Sequence, residues 1–254
     1  MKQLYLTLLI VMAGLLAGIQ KAKAQKVVLF KTDGQAIECL VSELDSISFV
    51  DADEHEWVDL GLPSGTLWAT CNVGAGSPEE YGDYFAWGET EPKSNYSWTS
   101  YTHCEGNYDT LTKYCYQNEC GNNGFTDTLT ELLSEDDAAT MNWGNDWQMP
   151  SLAQLQELFD SEYTTATWTT QNGVNGQLIM GKRNGNTIFL PAAGEHYDTK
   201  FDFDGRYGDY WSRSLNAYDS PYADALSFNS GSVHWEDHLY RYRGKSIRPV
   251  RRKQ

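Results

Sequence analysis

The last third of the chain constrains the fold most. Asn186–Gly194 (NTIFLPAAG), Tyr210–Leu215 (YWSRSL), Ala225–Asn229 (ALSFN) and Ser246–Arg251 (SIRPVR) follow one another as short runs rich in aromatic and branched residues. Gly and Asp clusters separate them, the pattern of strands joined by polar loops. Such a chain builds a scaffold that displays loops, and no complete catalytic signature accompanies it.

At the other end, Lys2 precedes an apolar run from Leu4 to Ile19, and Ala22-Lys23-Ala24 follows. A basic start, an apolar stretch and an A-x-A site in that order predict a secretory signal peptide over residues 1–24. A bilayer span takes about 18 or more apolar residues, and this run is shorter. The next cysteine is Cys39, so no lipid-bearing cysteine is expected at the processed N-terminus. The mature chain is therefore expected to be exported without a transmembrane segment: secreted, periplasmic or associated with the cell surface.

The chain carries 19 Lys and Arg against 35 Asp and Glu, a net charge of −16. Residues 1–24 contain Lys2, Lys21 and Lys23 and no acid, so the mature chain stands at −19. A field of that sign repels nucleic acid and anionic lipid. One local exception is the C-terminus, where Arg241, Arg243, Lys245, Arg248, Arg251, Arg252 and Lys253 crowd together. Arg241 and Arg243 alternate with Tyr240 and Tyr242, which predicts strands with their basic side toward solvent.

Residues 25–50 are expected to form a small β unit, with Val27–Phe30 and Ala36–Val41 flanking Asp33-Gly34, a hairpin signal. Ile47-Ser48-Phe49 alternates afterwards, and residues 51–56 form an acidic linker. Residues 57–252 are expected to form one domain opening with strands Trp57–Leu60 and Thr66–Asn72. Its 88–124 segment, rich in Asn, Ser, Gly and Tyr, predicts a long irregular excursion. Five cysteines in an exported chain cannot all pair internally. Cys104, Cys115 and Cys120 lie close enough for a local bridge, whereas Cys39 and Cys71 stand apart. Ser134-x-x-Asp137 and Ser151-x-x-Gln154 have the form of capping boxes. The second predicts a helix over about 151–161 with Leu152, Leu155, Leu158 and Phe159 on its core face.

Several segments together resemble one family: Val58–Val73, Pro78–Glu89, Glu135–Pro150, Trp168–Gly176, Ile188–Gly194, Tyr210–Ser214 and Ser246–Arg251. They are similar to the FISUMP, or major paralogous, domain of exported bacterial proteins, over nearly all of residues 57–252. Gln148 stands where the family usually has Arg, and Arg213 where it usually has Ser. The family is similar in pattern to C-type-lectin-like domains of the sulfatase-modifying group. That resemblance implies an α+β fold, two helices packed on a twisted antiparallel sheet, with the terminal strands close together and a long loop region opposite. It brings no catalytic residues.

Motif-like strings fail on their spacing. Gly244-Lys245-Ser246 lacks the earlier glycine of a phosphate-binding loop, because Leu239 occupies that place. Asp202-x-Asp204-Gly205 cannot be an EF-hand, since Lys200 and Trp211 would fill ligand positions. A looser calcium site using Asp202, Asp204 or Asp209 is left open, and no other cofactor is expected. His234 and His238, in an extended strand, lie about 13 Å apart, too far for one zinc ion. An oxidase of the formylglycine-generating type needs a late cysteine pair, yet the last cysteine is Cys120. Glycoside hydrolysis depends on carboxylate spacing that sequence does not give.

What remains is an excess of aromatic residues. Trp57, Trp68, Trp87, Trp143, Trp147 and Trp211 are expected in the core, their indole N–H groups bonded. His196, Tyr197, Tyr207, Tyr218, Tyr222, His234, Trp235 and His238 fall among Asp, Asn and Ser in loops, a composition suited to recognition. These are the candidate ligand-binding residues of a non-catalytic module for a glycan or a protein. The alternatives are a structural or accessory subunit of a surface assembly, and an enzyme of either type above.

Overall fold

The computed structural model describes residues 26–30, 36–41 and 55–251, and of 26, 27, 29, 30, 36–39 and 236–238 only the backbone. The chain divides into two compact units, Met1–Ala52 and Asp53–Gln254. In the first, β1 (Lys26–Phe30) and β2 (Ala36–Leu40) pair antiparallel, with Val28 opposite Glu38. The segments expected to form a signal peptide, the Asp33-Gly34 turn, the Ile47–Phe49 alternation and most of the acidic linker lie outside the described residues.

The second unit opens with β3 (Trp57–Asp59) and β4 (Leu67–Ala69). From residue 70 to 137 the chain runs through turns, isolated bridges and three short 3-10 segments. Then come α1 (Ala138–Trp143), β5 (Trp147–Gln148) and α2 (Leu152–Leu158). A meander follows, of β6 (Thr164–Gln171), β7 (Val174–Gly181) and β8 (Thr187–Pro191). A short hairpin comes next, β9 (Glu195–Tyr197) with β10 (Lys200–Asp202). The last elements are β11 (Gly208–Leu215), β12 (Tyr222–Phe228), β13 (Val233–Tyr240) and β14 (Val250–Arg251).

These strands form four small antiparallel sheets, ordered β3-β4-β14-β5, β6-β7-β8, β10-β9 and β11-β12-β13. The α+β expectation, and the lectin-like arrangement implied with it, is overturned. Strand residues make up 36% and helical residues 12%, so the molecule is mostly β. The helices are short for local reasons. Asp137, not Ser134, caps α1, and Gly144 ends it at a φ of 95° that suits glycine. In α2 the Ser151–Gln154 capping box forms as read, but the helix stops at Leu158.

Helix α2 nonetheless does central work. Its buried Leu155 and Leu158 join Trp68, Ile179, Leu226 and Val250, so one apolar cluster binds the four-stranded sheet to both three-stranded sheets. A second cluster gathers Trp87, Tyr114, Ala138, Met149, Trp211 and Ile247. Trp87 and Trp211 donate their indole N–H groups to Ser212 O and Phe85 O, both at 2.9 Å. Trp57 departs from the expected core placement: it is 46% exposed at the head of β3. Trp143 is half-buried and stacks on His55 at 3.7 Å.

The expected bridge among Cys104, Cys115 and Cys120 does not form; these three and Cys71 are free thiols. Backbone closes the loop instead. Leu111 bridges both Cys104 and Gly121, and Leu111 N donates to Cys120 O at 2.8 Å.

The basic C-terminus turns inward. Arg241, Lys245 and Arg248 are 0, 1 and 0% exposed, against the expectation that they face solvent. Arg248 donates to Asn72 Oδ1 (2.9 Å), Ala69 O (3.1 Å), Thr70 O (2.9 Å) and Phe189 O (3.0 Å). It thereby ties the approach to β14 to the segment after β4 and to β8. Replacing Arg248 with Met keeps much of the volume but orphans these acceptors. Since a buried polar group left unpaired costs about 1–3 kcal/mol, we expect a loss on the order of 3–5 kcal/mol, read as a lower urea midpoint. Arg206→Ala, at an exposed side chain, should shift the midpoint by less than about 0.5 kcal/mol.

Candidate functional site

A cavity lies where β9, β11 and the segment before β14 meet. Its volume is about 290 Å³. Glu195, Asp209 and Lys245 supply its charged lining; Phe203, Tyr207 and Leu239 supply an apolar wall, and Ser227 adds a hydroxyl.

Local backbone geometry builds the wall. Gly194 has φ 65°, and a Cβ there would run into the backbone of Asp202 and Asp204. Its absence lets the 203–207 turn fold back, so that Gly194 N donates to Tyr207 O and Gly205 N to Ala192 O, both at 2.8 Å. Phe203 takes a positive φ of 66°, rare for an aromatic residue. The Phe203 and Tyr207 rings then meet edge to face at 5.4 Å.

Register builds the floor. Tyr210 and Ser246 are parallel bridge partners, which sets Asp209 beside Lys245, while Gly194–Gly208 and His196–Gly244 bridges flank Glu195. Lys245 Nζ lies 2.5 Å from Glu195 Oε2, 3.7 Å from Asp209 Oδ1 and 5.5 Å from the centre of the Trp211 ring. Arg243 Nη1 contacts the other Glu195 oxygen. Burial alone would raise the Glu195 carboxyl, but Lys245 and Arg243 outweigh it and hold the acid below its usual range. Among the described residues the Asp209 carboxylate pairs only with Lys245.

A second cavity, of about 340 Å³, is lined by Glu89, Lys93, His103 and Asp136 among others. Two of its acids are closely paired. Glu89 accepts from Lys93 Nζ (2.6 Å) and Thr102 N (2.7 Å), and Asp136 from Lys113 Nζ (2.5 Å) and Tyr114 OH.

The expected recognition residues are dispersed. Tyr207 is in the pocket wall. Next to Glu195, His196 stacks on Phe201 at 4.7 Å and meets Tyr84 edge-on at 4.6 Å, while Tyr197 lies under Lys200 and Arg243. Tyr222 stacks on Tyr240 at 4.6 Å, and Tyr218 is 76% exposed. Trp235 is partly exposed, edge-on to Phe159 at 6.2 Å. His234 is exposed and its Nε2 meets Ser232 Oγ at 2.7 Å. His238 lies in β13, so the two histidines occupy an extended strand, but its side chain is outside the described residues.

Sequence reading assigned recognition to loops of about 195–209, 216–224 and 230–244, which contain Glu195, Phe203, Asp209 and Leu239, but singled out none of these as a pocket residue and raised Asp209 only as a calcium ligand; Ser227 and Lys245 it missed. Asp209, Ser227 and His234 are cross-strand neighbours on β11, β12 and β13. Their order places the hydroxyl in the middle, whereas a relay needs the imidazole between serine and acid. Among the described residues no group of three or more His, Cys, Asp or Glu is arranged to hold a metal, and no helix is long and apolar enough to cross a membrane. No family model, curated protein or solved structure matches the chain.

Two half-buried histidines make the fold sensitive to acid. Burial lowers the pKa of His103, outweighing its bond to Gly88 O and the nearby Asp136, and burial likewise lowers that of His196. A histidine depressed below 6.5 when folded takes up a proton more readily when unfolded. This stability is present above pH 6.5 and lost as the pH falls through the lower folded values. Urea midpoints should be lower at about pH 5.5 than at about pH 7.5, and His103→Gln should narrow the gap. An unchanged gap in that variant would remove His103 from the account.

Proposed function

We propose that this chain is an exported, non-catalytic binding module, related to the FISUMP domains it resembles, and that it holds a sugar residue of a glycan between the 203–207 turn and β11. One observation carries the reading: an aromatic wall, Phe203 and Tyr207, stands over a polar floor in a cavity of about 290 Å³. A pyranose presents an apolar C–H face and a rim of hydroxyls, and these match such a wall and floor. Pockets for small ligands start near 300 Å³, which suits a single sugar unit or chain end. The signal-peptide pattern of residues 1–24 supports export.

The floor supports binding over hydrolysis. A glycosidase needs one carboxyl with a raised pKa to protonate the leaving group. Glu195 is held ionised by two cations.

Glycan-array screening should yield a ligand, and titration calorimetry should then compare variants. Stacking on an aromatic ring contributes about 0.5–1.5 kcal/mol, so Tyr207→Ala and Phe203→Ala should each weaken binding by about threefold to tenfold. Tyr218→Ala, remote from the wall, should bind as the parent does. Full affinity in both wall variants would dismiss this pocket, and an empty array would dismiss the glycan.

A further inference from the structure

Lys245, Glu195 and Asp209 have an arrangement that exceeds the needs of an ion pair. Three adjacent extended segments deliver them, and they are 1, 4 and 6% exposed. Trp211 lies against the Lys245 ammonium, and Phe203, Tyr207 and Leu239 wall the same space. The reactive partners for acyl substitution are a neutral amine and a neutral acid, and one proton passed from Lys245 to Asp209 makes both.

The two acids differ in what they can do. Glu195 is bound by Arg243 on one oxygen and by Lys245 on the other, which keeps it a carboxylate: a poor electrophile, placed to relay a proton that it does not keep. Among the described residues the Asp209 carboxylate pairs only with the lysine, with Nζ 3.7 Å from Oδ1, so its carbonyl carbon is the one open to attack.

We propose that Lys245 and Asp209 join without any added enzyme in an intramolecular amide bond, with Glu195 as the proton carrier. Glu195 accepts one proton from the ammonium through the 2.5 Å contact and passes it to the Asp209 carboxyl. The freed Nζ attacks Asp209 Cγ, and the new C–N bond replaces a C–O bond. Of the three ammonium protons, one stays on the amide nitrogen and two leave with an Asp209 oxygen as water. Glu195 ends as it began, and no oxidant or activated donor is consumed. Holding the partners together supplies the driving rate, since fixed intramolecular pairs reach effective molarities on the order of 10⁵–10⁸ M.

The bond would staple β11 to the segment leading into β14. It does not depend on the ligand reading, because an amide floor still offers a carbonyl and an N–H to a hydroxyl. The test needs no ligand. Intact mass of the purified exported chain should be one water below the sequence mass of its processed form. Peptide mapping should recover a branched peptide joining Lys245 to Asp209. Lys245→Met, Asp209→Ala and Glu195→Gln should each restore the full mass; should they fail to fold, the parent's branched peptide decides alone. A parent of full mass overturns the proposal. So does a water deficit that maps to Asp33-Gly34 or Asp204-Gly205, where a succinimide would form.

Discussion

The described structure depends on a buried cation that has no counter-ion among the described residues. Arg248 is fully enclosed, and backbone carbonyls of Ala69, Thr70 and Phe189 with the Asn72 amide oxygen replace the water it gave up. Fixed dipoles can perform that service only if the strands bearing them arrive in register. The same junction is closed by backbone bonds, from Ala69 N to Pro249 O and from Val73 N to Ile247 O, both at 3.0 Å. With no long helix to brace them, four small sheets are held together by this junction and by the leucines of α2.

The three buried basic residues show three solutions to one problem. Arg248 is met by carbonyls and Lys245 by carboxylates. Arg241 lies over the rings of Trp87 and Tyr101, each 5.5 Å away, and donates from Nη1 to Tyr114 O at 3.0 Å. Among the described residues its Nε and Nη2 have no partner. Aromatic faces attract a desolvated guanidinium, so this side chain joins the C-terminal segment to the long irregular loop without an acid. The pocket follows from the second solution, because Glu195 and Asp209 are drawn to the same ammonium.

Local signals in the chain were read well and global ones poorly. The strands of the last third, the Ser151–Gln154 box and the core face of α2 were legible because each depends on neighbours a few residues apart. The β6–β7 hairpin carries an equally local signal that the sequence analysis does not use: Asn172 and Gly173 both take the positive φ that such turns demand. The alternation at Tyr240–Arg243 misled, because β13 ends at Tyr240 and the next residues turn, with Arg243 N donating to Tyr240 O at 3.0 Å. Arg241 is buried there, and the half-buried Tyr240 and Tyr242 pack edge-on to Trp98 at 5.6 and 5.1 Å. The pocket was illegible for another reason. Residues 195, 209 and 245 become neighbours only through bridges between segments far apart in sequence, and no spacing rule records that.

The unbridged loop has a last consequence. Burial raises the thiols of Cys71, Cys104 and Cys120, the last to about 11, so they stay protonated and react slowly. Hydrogen bonds and packed tyrosines, not sulfur chemistry, give this stretch its shape. Among the described residues its architecture therefore owes nothing to a disulfide, and the redox poise of the surroundings has no bond there to make or break.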